Sequence, residues 1–214
     1  MSTPLSIDVV SDVVCPWCYV GKRRLERALA LRPDVRAELR WLPFFLDPSV
    51  PKGGMRRIDY ITNKFGGGEK ITPGHKRLAA LGGELGIDFR FEKIETQPNT
   101  TDAHRLINWA QEAGKADPVV DRLFEMFFTE GADLTDREVI AGAARVGGLD
   151  EDAVRRDLES ERDAELIEKQ ATAASMSGVG GVPFFVFGKK IAVAGAHEPE
   201  ALAQAIDQAL AAKA

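Results

Sequence analysis

The chain has 214 residues, of which 44% are hydrophobic, enough to bury one core with an insertion or two small cores. Its net charge of −5 and pI near 5.4 argue against a nucleic acid or an anionic membrane as partner, because both attract basic surfaces. The N-terminal residues lack the cationic start and apolar core of a secretory signal, and no stretch approaches the roughly 20 apolar residues of a membrane span. We therefore expect a cytoplasmic protein, a compartment in which disulfides are more often transient and catalytic than structural.

The only two cysteines follow a predicted strand and begin a predicted helix. Residues 5–11 alternate as a half-buried strand does, and the residues after the cysteines have the apolar spacing of an amphipathic helix. In the motif Cys15-Pro16-Trp17-Cys18, Pro16 suits the first helical position, where its missing N–H costs nothing. Cys15 would then lie at the helix N-terminus, where free N–H groups and the helix dipole favour a thiolate. Cys18, one turn later, is near enough for a short-loop disulfide, so the motif indicates a redox site.

Two other uses of the cysteine pair are less favoured. A zinc site needs further ligands at regular spacing, but the chain has no second cysteine pair, and its three histidines are scattered: His75, His104 and His197. We therefore expect no metal. A pair of inert core thiols is the plainer alternative, since free cysteine is often buried. The strand-then-helix context favours the redox interpretation, because it is the setting of thioredoxin-like motifs.

The next segments complete a βαβ unit and then lose a regular pattern. Residues 35–42 alternate as a second strand, half buried against a layer of helices. Residues 44–60 are rich in proline and glycine and predict a long loop. A helix is expected over 72–85. Residues 87–94 alternate like a strand but lie among helical segments, so we expect an extended linker or a short edge element there.

Helical spacing then dominates until a final apolar hairpin. Five runs have plausible caps and helical periodicity: 100–113, 118–129, 135–146, 150–160 and 164–175. After them come two apolar runs joined by Gly188 and Lys189, which predict a β-hairpin. An amphipathic helix over 199–212 closes the chain.

This order of elements predicts an α/β protein with a thioredoxin fold, in which βαβ is followed by ββα, interrupted by a large all-helical insertion. Residues 1–45 and 178–214 would form the thioredoxin-like domain. Residues 46–177 would form the connecting loop and the helical insertion domain.

Several motifs, spread over nearly the whole chain, carry a resemblance to a known family. They are Asp12, the motif from Cys15 to Cys18, Gly21, the run from Asn99 to His104, the run from Gly178 to Phe184, and Gly195-Ala196. Together they resemble the DsbA-like branch of the thioredoxin superfamily, and specifically its cytosolic FrnE-like members. The kappa-class glutathione transferases and 2-hydroxychromene-2-carboxylate isomerases are related in architecture, but a serine stands in them where this chain has Cys15.

The resemblance implies roles for the residues that match. Cys15 would be the attacking thiol and Cys18 the resolving thiol. Pro183 matches the family's cis-proline, which lies beside the cysteine pair, and the backbone of Val182 would pair with an extended substrate strand. The residues expected to contact the substrate are Val182, Trp17, Pro16, Asn99 and His104.

Three of the matching residues have a second interpretation. Asn99 and His104 belong to a family motif on the insertion, but a helix cap and a surface histidine explain them as well. Asp12 would relay protons to the resolving thiol if it is buried, or cap the turn at the helix entrance. The cap is slightly favoured.

The activity implied by the resemblance is thiol–disulfide exchange by a protein-disulfide oxidoreductase or isomerase that needs no cofactor. Its partners would be thiol or disulfide substrate proteins, with glutathione as an optional co-substrate. Two alternatives stay open: a glutathione-dependent isomerase or transferase, and a holdase or binding module with an apolar groove around Trp17, Phe44, Phe45 and Phe184. The direction of exchange, the substrate, the redox partner and the oligomeric state, a homodimer included, are left open by the sequence.

Overall fold

The computed structural model describes residues 4–212, and within them the chain divides into two compact units. One unit combines the residues up to 46 with those from 169 onward, and the other is formed by residues 47–168. Residues 169–177, expected in the insertion, belong here to the first unit. That each unit is an independent domain stays a prediction.

A mixed sheet forms the centre of the first unit. Its four strands are β1 (Leu5–Ser11), β2 (Ala37–Pro43), β5 (Phe184–Phe187) and β6 (Ile191–Ala194), in the order β2-β1-β5-β6. β1 pairs in parallel with β2 and antiparallel with β5, and β5 pairs antiparallel with β6. β1 is therefore a central strand, and it is buried along almost all its length, more completely than the half-buried strand that its alternating sequence predicts.

Two helices and a tight turn lie entirely within the first unit. α1 (Pro16–Ala30) connects β1 to β2, which confirms the predicted βαβ unit. β5 and β6 form the predicted hairpin, in which Gly188 and Lys189 have φ angles of 58° and 61°. Two successive positive φ angles are typical of a tight hairpin turn. α9 (Pro199–Ala211) packs its buried apolar face against α1. The thioredoxin order predicted from the sequence is confirmed.

The second unit is mainly helical. Its helices are α2 (Arg57–Phe65), α3 (Gly68–Glu84), α4 (Thr101–Glu112), α5 (Ala116–Glu125), α6 (Arg137–Gly142) and α7 (Glu151–Glu159), and α8 (Ala164–Met176) crosses the boundary between the units. Single turns of 3-10 or π-helix cover Phe91–Lys93, Met126–Glu130 and Ala143–Gly147. Among residues 4–212, every helix is too short or too polar to span a lipid bilayer.

The expectation of an all-helical insertion is wrong in one detail. Two antiparallel strands of two residues each, β3 (Met55–Arg56) and β4 (Thr96–Gln97), join the segment before α2 to the segment before α4. Strands this short have too few residues for an alternating pattern, so periodicity does not reveal them.

The segment expected to be a long loop ends earlier than predicted. α2 begins at Arg57 and α3 at Gly68, with Pro73 inside α3 rather than in its first turn. Of the two expectations for residues 87–94, the linker is the correct one, with only the 3-10 turn Phe91–Lys93 inside it. Its alternation reflects burial in the second unit, where the buried members are Ile87, Phe89 and Ile94.

Candidate active site

Cys15 lies at the start of α1, where the sequence predicts it. It is the N-cap residue, with an extended backbone, and Pro16 follows at the beginning of the helix. The N–H of Cys15 donates to the carbonyl of Asp12 (3.0 Å), and the carbonyl of Cys15 accepts the N–H of Cys18 (3.0 Å). The turn after β1 thereby places the Cys15 thiol at the positive end of the α1 dipole, which stabilises negative charge on the sulfur.

The two cysteines are close together and shielded from solvent. They lie 3.5 Å apart and are both free thiols, an approach from which a disulfide can form. Only 3% of Cys15 and 2% of Cys18 is exposed, whereas Trp17 between them is 39% exposed. The solvent-accessible part of the motif is therefore Trp17 and, less so, the half-buried Pro16, and contact of these two residues with a substrate stays a prediction.

Cys18 is held as a neutral thiol. Burial raises the pKa of Cys18 well above its ordinary value, and a hydrogen bond with Cys15 and the negative charge of a Cys15 thiolate raise it further. Hydrogen bonds with the Ser11 side chain and the Asp12 backbone lower the pKa but are outweighed. At neutral pH Cys18 therefore keeps its proton.

The segment before β5 lies against the cysteine pair. The Val182–Pro183 peptide bond is cis, and the Cys15 thiol donates to the Val182 carbonyl at an Sγ···O distance of 3.6 Å. Gly21 of α1 faces the same proline, since a Cβ atom added to Gly21 would lie 2.7 Å from Pro183 Cγ. The missing side chain of Gly21 thus allows α1 and Pro183 to approach each other closely. Sequence reasoning included Gly21 in the resemblance but gave it no role.

The loop that follows β6 also contacts Pro183. The N–H of Gly195 donates to the Pro183 carbonyl (2.8 Å), and Gly195 has a φ of 92°, a conformation that favours glycine. Arg24 of α1 donates to the carbonyl of Ala196 (2.6 Å) and forms an ion pair with Glu198. These contacts give a structural reason for the Gly195-Ala196 motif, because they join α1, the Pro183 segment and the start of α9.

Asp12 does not cap α1, so the favoured interpretation of this residue is wrong. The structure has Cys15 in the N-cap position, with no side-chain cap. The Asp12 carboxylate, in a residue only 1% exposed, accepts the backbone N–H of Leu46 at 2.8 Å. It therefore joins the end of β1 to the chain leaving β2. A role for Asp12 in proton transfer stays a prediction.

Asn99 and His104 belong to the second unit. The Asn99 side chain donates to the Val50 carbonyl (2.9 Å) and accepts the N–H of Thr101 (3.0 Å), the first residue of α4, from the position before the N-cap residue Thr100. The surface position considered for His104 is wrong, because His104 is only 4% exposed. Substrate contact by these two residues stays a prediction.

The apolar groove considered for a holdase also stays a prediction. Its four residues belong to the first unit, and each keeps part of its surface exposed: Trp17, Phe44, Phe45 and Phe184.

Comparison with known proteins finds relatives over most of the chain. The uncharacterized protein YwbO of Bacillus subtilis (strain 168) is 29% identical over 187 residues, which cover 86% of this chain and 88% of that protein. A crystal structure from Streptomyces coelicolor, described as a probable DsbA oxidoreductase, is 31% identical over 97% of this chain and 90% of that chain, with a TM-score of 0.87. The cytosolic disulfide reductase DsbM from Pseudomonas aeruginosa, solved with glutathione, is 18% identical over 97% of each chain, with a TM-score of 0.57. This last likeness shows the fold alone.

The family described as the DSBA-like thioredoxin domain matches residues 6–207, which include every candidate site residue named above. The resemblance to the DsbA-like branch is thereby confirmed, while the narrower FrnE-like assignment stays a prediction. With its cysteine pair at the start of α1 and Pro183 packed against the same helix, this chain belongs to the DSBA-like thioredoxin domain family.

Proposed function

We propose that the protein is a thiol–disulfide oxidoreductase that uses Cys15 and Cys18 as its redox pair. Membership of a family of DsbA-like oxidoreductases supports redox activity in general. The specific reaction rests on one observation: two free thiols lie 3.5 Å apart at the start of a helix, and one of them is kept neutral. Burial alone would also suit inert core thiols. Inert thiols would not, however, need the Pro183 segment held beside them by Gly21 and Gly195.

In the reducing direction, the Cys15 thiolate attacks one sulfur of a substrate disulfide. A bond forms between Cys15 and that sulfur, the substrate S–S bond breaks, and the other substrate sulfur leaves as a thiolate that takes up a proton. Cys18 then loses its proton and attacks Cys15, which releases the first substrate sulfur as a thiol and leaves a Cys15–Cys18 disulfide. The substrate is reduced by two electrons and the dithiol is oxidised. The same steps in reverse oxidise a substrate dithiol.

The backbone of Val182 is the proposed contact for an extended substrate strand. Among residues 4–212, the Val182 N–H makes no hydrogen bond, and the Val182 carbonyl accepts only from the Cys15 thiol. A substrate strand that pairs with this backbone would bring its sulfur to Cys15. The half-buried Pro16 and the exposed Trp17 would contact the substrate beside the Val182 backbone.

Glutathione is a proposed co-substrate, and no resident cofactor is required for exchange. A glutathione-dependent isomerase or transferase is the less favoured activity, because such proteins have a serine where this chain has Cys15. We assign the reaction to the cytoplasm, following the resemblance to cytosolic FrnE-like proteins. The partners would be proteins with thiols or disulfides.

Cysteine variants test the proposal. The redox pair is equilibrated against glutathione buffers, and insulin reduction and recovery of scrambled ribonuclease are measured alongside. Cys15→Ser is expected to abolish turnover. Cys18→Ser is expected to accumulate mixed disulfides with substrate, because attack proceeds and resolution does not.

Controls separate the alternatives. A Cys15→Ser/Cys18→Ser protein that still suppresses aggregation of a heat-unfolded, cysteine-free protein as well as the wild type would instead support a holdase. A Cys15→Ser protein that keeps glutathione-dependent isomerisation would support the isomerase. Adducts that form on Cys18 in the Cys15→Ser variant, and not on Cys15 in the Cys18→Ser variant, would reverse the assignment of the two thiols.

A further inference from the structure

An open groove that lies wholly within residues 47–168 shares no lining residue with the cysteine site. It has a volume of about 640 Å³ and lies between α2, α3 and the segment 89–95. The apolar residues that line it are Ile58, Ile61, Ile71, Ala79, Phe89, Phe91 and Ile94. Small-molecule sites are concave, mostly apolar and on the order of 300–1,000 Å³, so the groove has the size and lining of such a site.

One side of the groove is a stack of aromatic rings. The rings of Phe91 and His75 are nearly parallel, with centroids 4.0 Å apart and planes inclined by 9°. Phe89 stacks on Phe91 at 5.0 Å and 7°. Burial, followed by the positive charge of Arg57, lowers the pKa of His75, so its ring is neutral at pH 7. Three stacked, uncharged rings suit a flat aromatic ligand.

Arg57 supplies a positive charge that no acidic side chain of the described residues neutralises. Its guanidinium donates to the Gln97 side chain and lies 5.4 Å from the centroid of the Tyr60 ring. Among residues 4–212, no carboxylate forms an ion pair with this half-buried group. Burial lowers the pKa of Arg57, as expected of a cation moved out of water. A cation in this position is stabilised when an anion reaches it.

The other charges of the groove lie at its exposed rim. Arg56 and Lys76 are positive there, Glu92 and Glu95 are negative, and all four side chains are exposed. These positive and negative charges offset each other, and solvent screens them. The inner part of the groove therefore has the single positive charge of Arg57.

We propose that this groove binds a small aromatic acid, with the ring system against the stack of Phe89, Phe91 and His75 and the anionic group on Arg57. The apolar lining and the stacked rings favour an aromatic body. The Arg57 guanidinium, which forms no ion pair among residues 4–212, favours one carboxylate or sulfonate on that body.

Two dyes with the same ring skeleton test the proposal. The first, 8-anilinonaphthalene-1-sulfonate, has a sulfonate, and the second, N-phenyl-1-naphthylamine, is neutral. In fluorescence titrations of the full chain, the sulfonate dye is expected to bind one saturable site more tightly than the neutral dye. Arg57→Met is expected to weaken binding of the sulfonate dye by about tenfold, because one hydrogen bond to a charged group is lost. The same variant is expected to leave the affinity for the neutral dye unchanged.

Arg77→Gln is the matched control, because Arg77 is an exposed cation of α3 that does not line the groove. It is expected to bind both dyes as the wild type does. Equal weakening of the sulfonate dye by both variants would overturn the proposal, as would equal affinity of the two dyes for the wild type. If circular dichroism shows that Arg57→Met is unfolded, the variant Ala79→Trp tests the proposal in its place. It fills the groove and should abolish binding of both dyes, and undiminished binding of the sulfonate dye would overturn the proposal.

Discussion

Cys15 and Cys18 are identical side chains that the fold places in different surroundings. Cys15 is the N-cap of α1, where the helix dipole favours negative charge, and its thiol reaches the Val182 carbonyl. Cys18 is inside the first turn and close to Ser11 and Asp12, in a fully buried position that raises its pKa. The direction of that shift leads to a prediction about chemical labelling.

Iodoacetamide at pH 7.5 is expected to modify Cys15 and to leave Cys18 unmodified in the reduced, folded protein. Because the raised pKa of Cys18 lowers its thiolate fraction at any given pH, Cys18 should react only at more alkaline pH or after unfolding. Peptide mass spectrometry after timed labelling measures both sites. Protein unfolded in urea, in which both thiols should react, is the control. Labelling of Cys18 at the rate of Cys15 in the folded protein would contradict the prediction.

Asp12 offers a second prediction at this scale, from its hydrogen bond to the Leu46 N–H. Asp12→Ala removes the acceptor and is expected to lower the free energy of unfolding by about 1.5–3 kcal/mol. Asp12→Asn keeps a carbonyl oxygen as acceptor and should lower the free energy of unfolding by less than Asp12→Ala does. Urea unfolding measures both variants. If the role is structural alone, Asp12→Asn leaves the pH profile of mixed-disulfide resolution unchanged, and a displaced profile would show that the carboxylate transfers protons.

At the scale of elements, the sequence pattern predicted those strands and turns whose formation depends on neighbouring residues in the chain. The alternation in β1 and β2 and the Gly188-Lys189 turn predicted the βαβ unit and the hairpin, because strand period and turn chemistry involve near neighbours. Local pattern did not reveal β3, β4 or the true start of α3 at Gly68.

In the candidate site, too, some features could be predicted from the sequence and others could not. The motif and Pro183 are recognisable in the sequence, but the Leu46 partner of Asp12, the burial of His104 and the contact of Gly21 with Pro183 are not. These features depend on packing between segments far apart in the chain, which no local pattern contains.

The contact of α1 with Pro183 can be tested by Gly21→Ala. The added Cβ would lie 2.7 Å from Pro183 Cγ, so α1 or the proline segment must shift, at a cost of about 1–3 kcal/mol. Insulin reduction should slow as well, because the shift moves Pro183 relative to Cys15. Gly74→Ala is the control, since an added Cβ in this helical glycine of α3 meets nothing within 4 Å. It should stabilise the protein by up to about 1 kcal/mol. Equal unfolding free energies for the two variants would contradict the prediction.

At the scale of the whole molecule, the first unit is assembled from the two ends of the described chain. Cys15 and Val182 are 167 positions apart, and the second unit occupies the sequence between them. The surroundings that keep Cys18 protonated exist only when these distant segments are packed together. Unfolding therefore exposes Cys18 to water and returns its pKa to the ordinary value, which makes global stability depend on pH.

The reduced protein is expected to lose stability as pH rises above about 8.5, the region in which an unfolded cysteine ionises. Because the pKa of Cys18 is raised in the folded state, its contribution to stability is complete below the unfolded pKa and falls by up to about 1.4 kcal/mol per pH unit above it. Thermal unfolding of the reduced wild type and of Cys18→Ser between pH 7 and 10 measures the effect. Lysine and tyrosine titrations are common to both proteins, so the difference between the two curves reports the Cys18 thiol together with its interaction with Cys15. The stability of the wild type should fall more steeply with rising pH than that of Cys18→Ser. Parallel curves would mean that the fold does not hold Cys18 neutral.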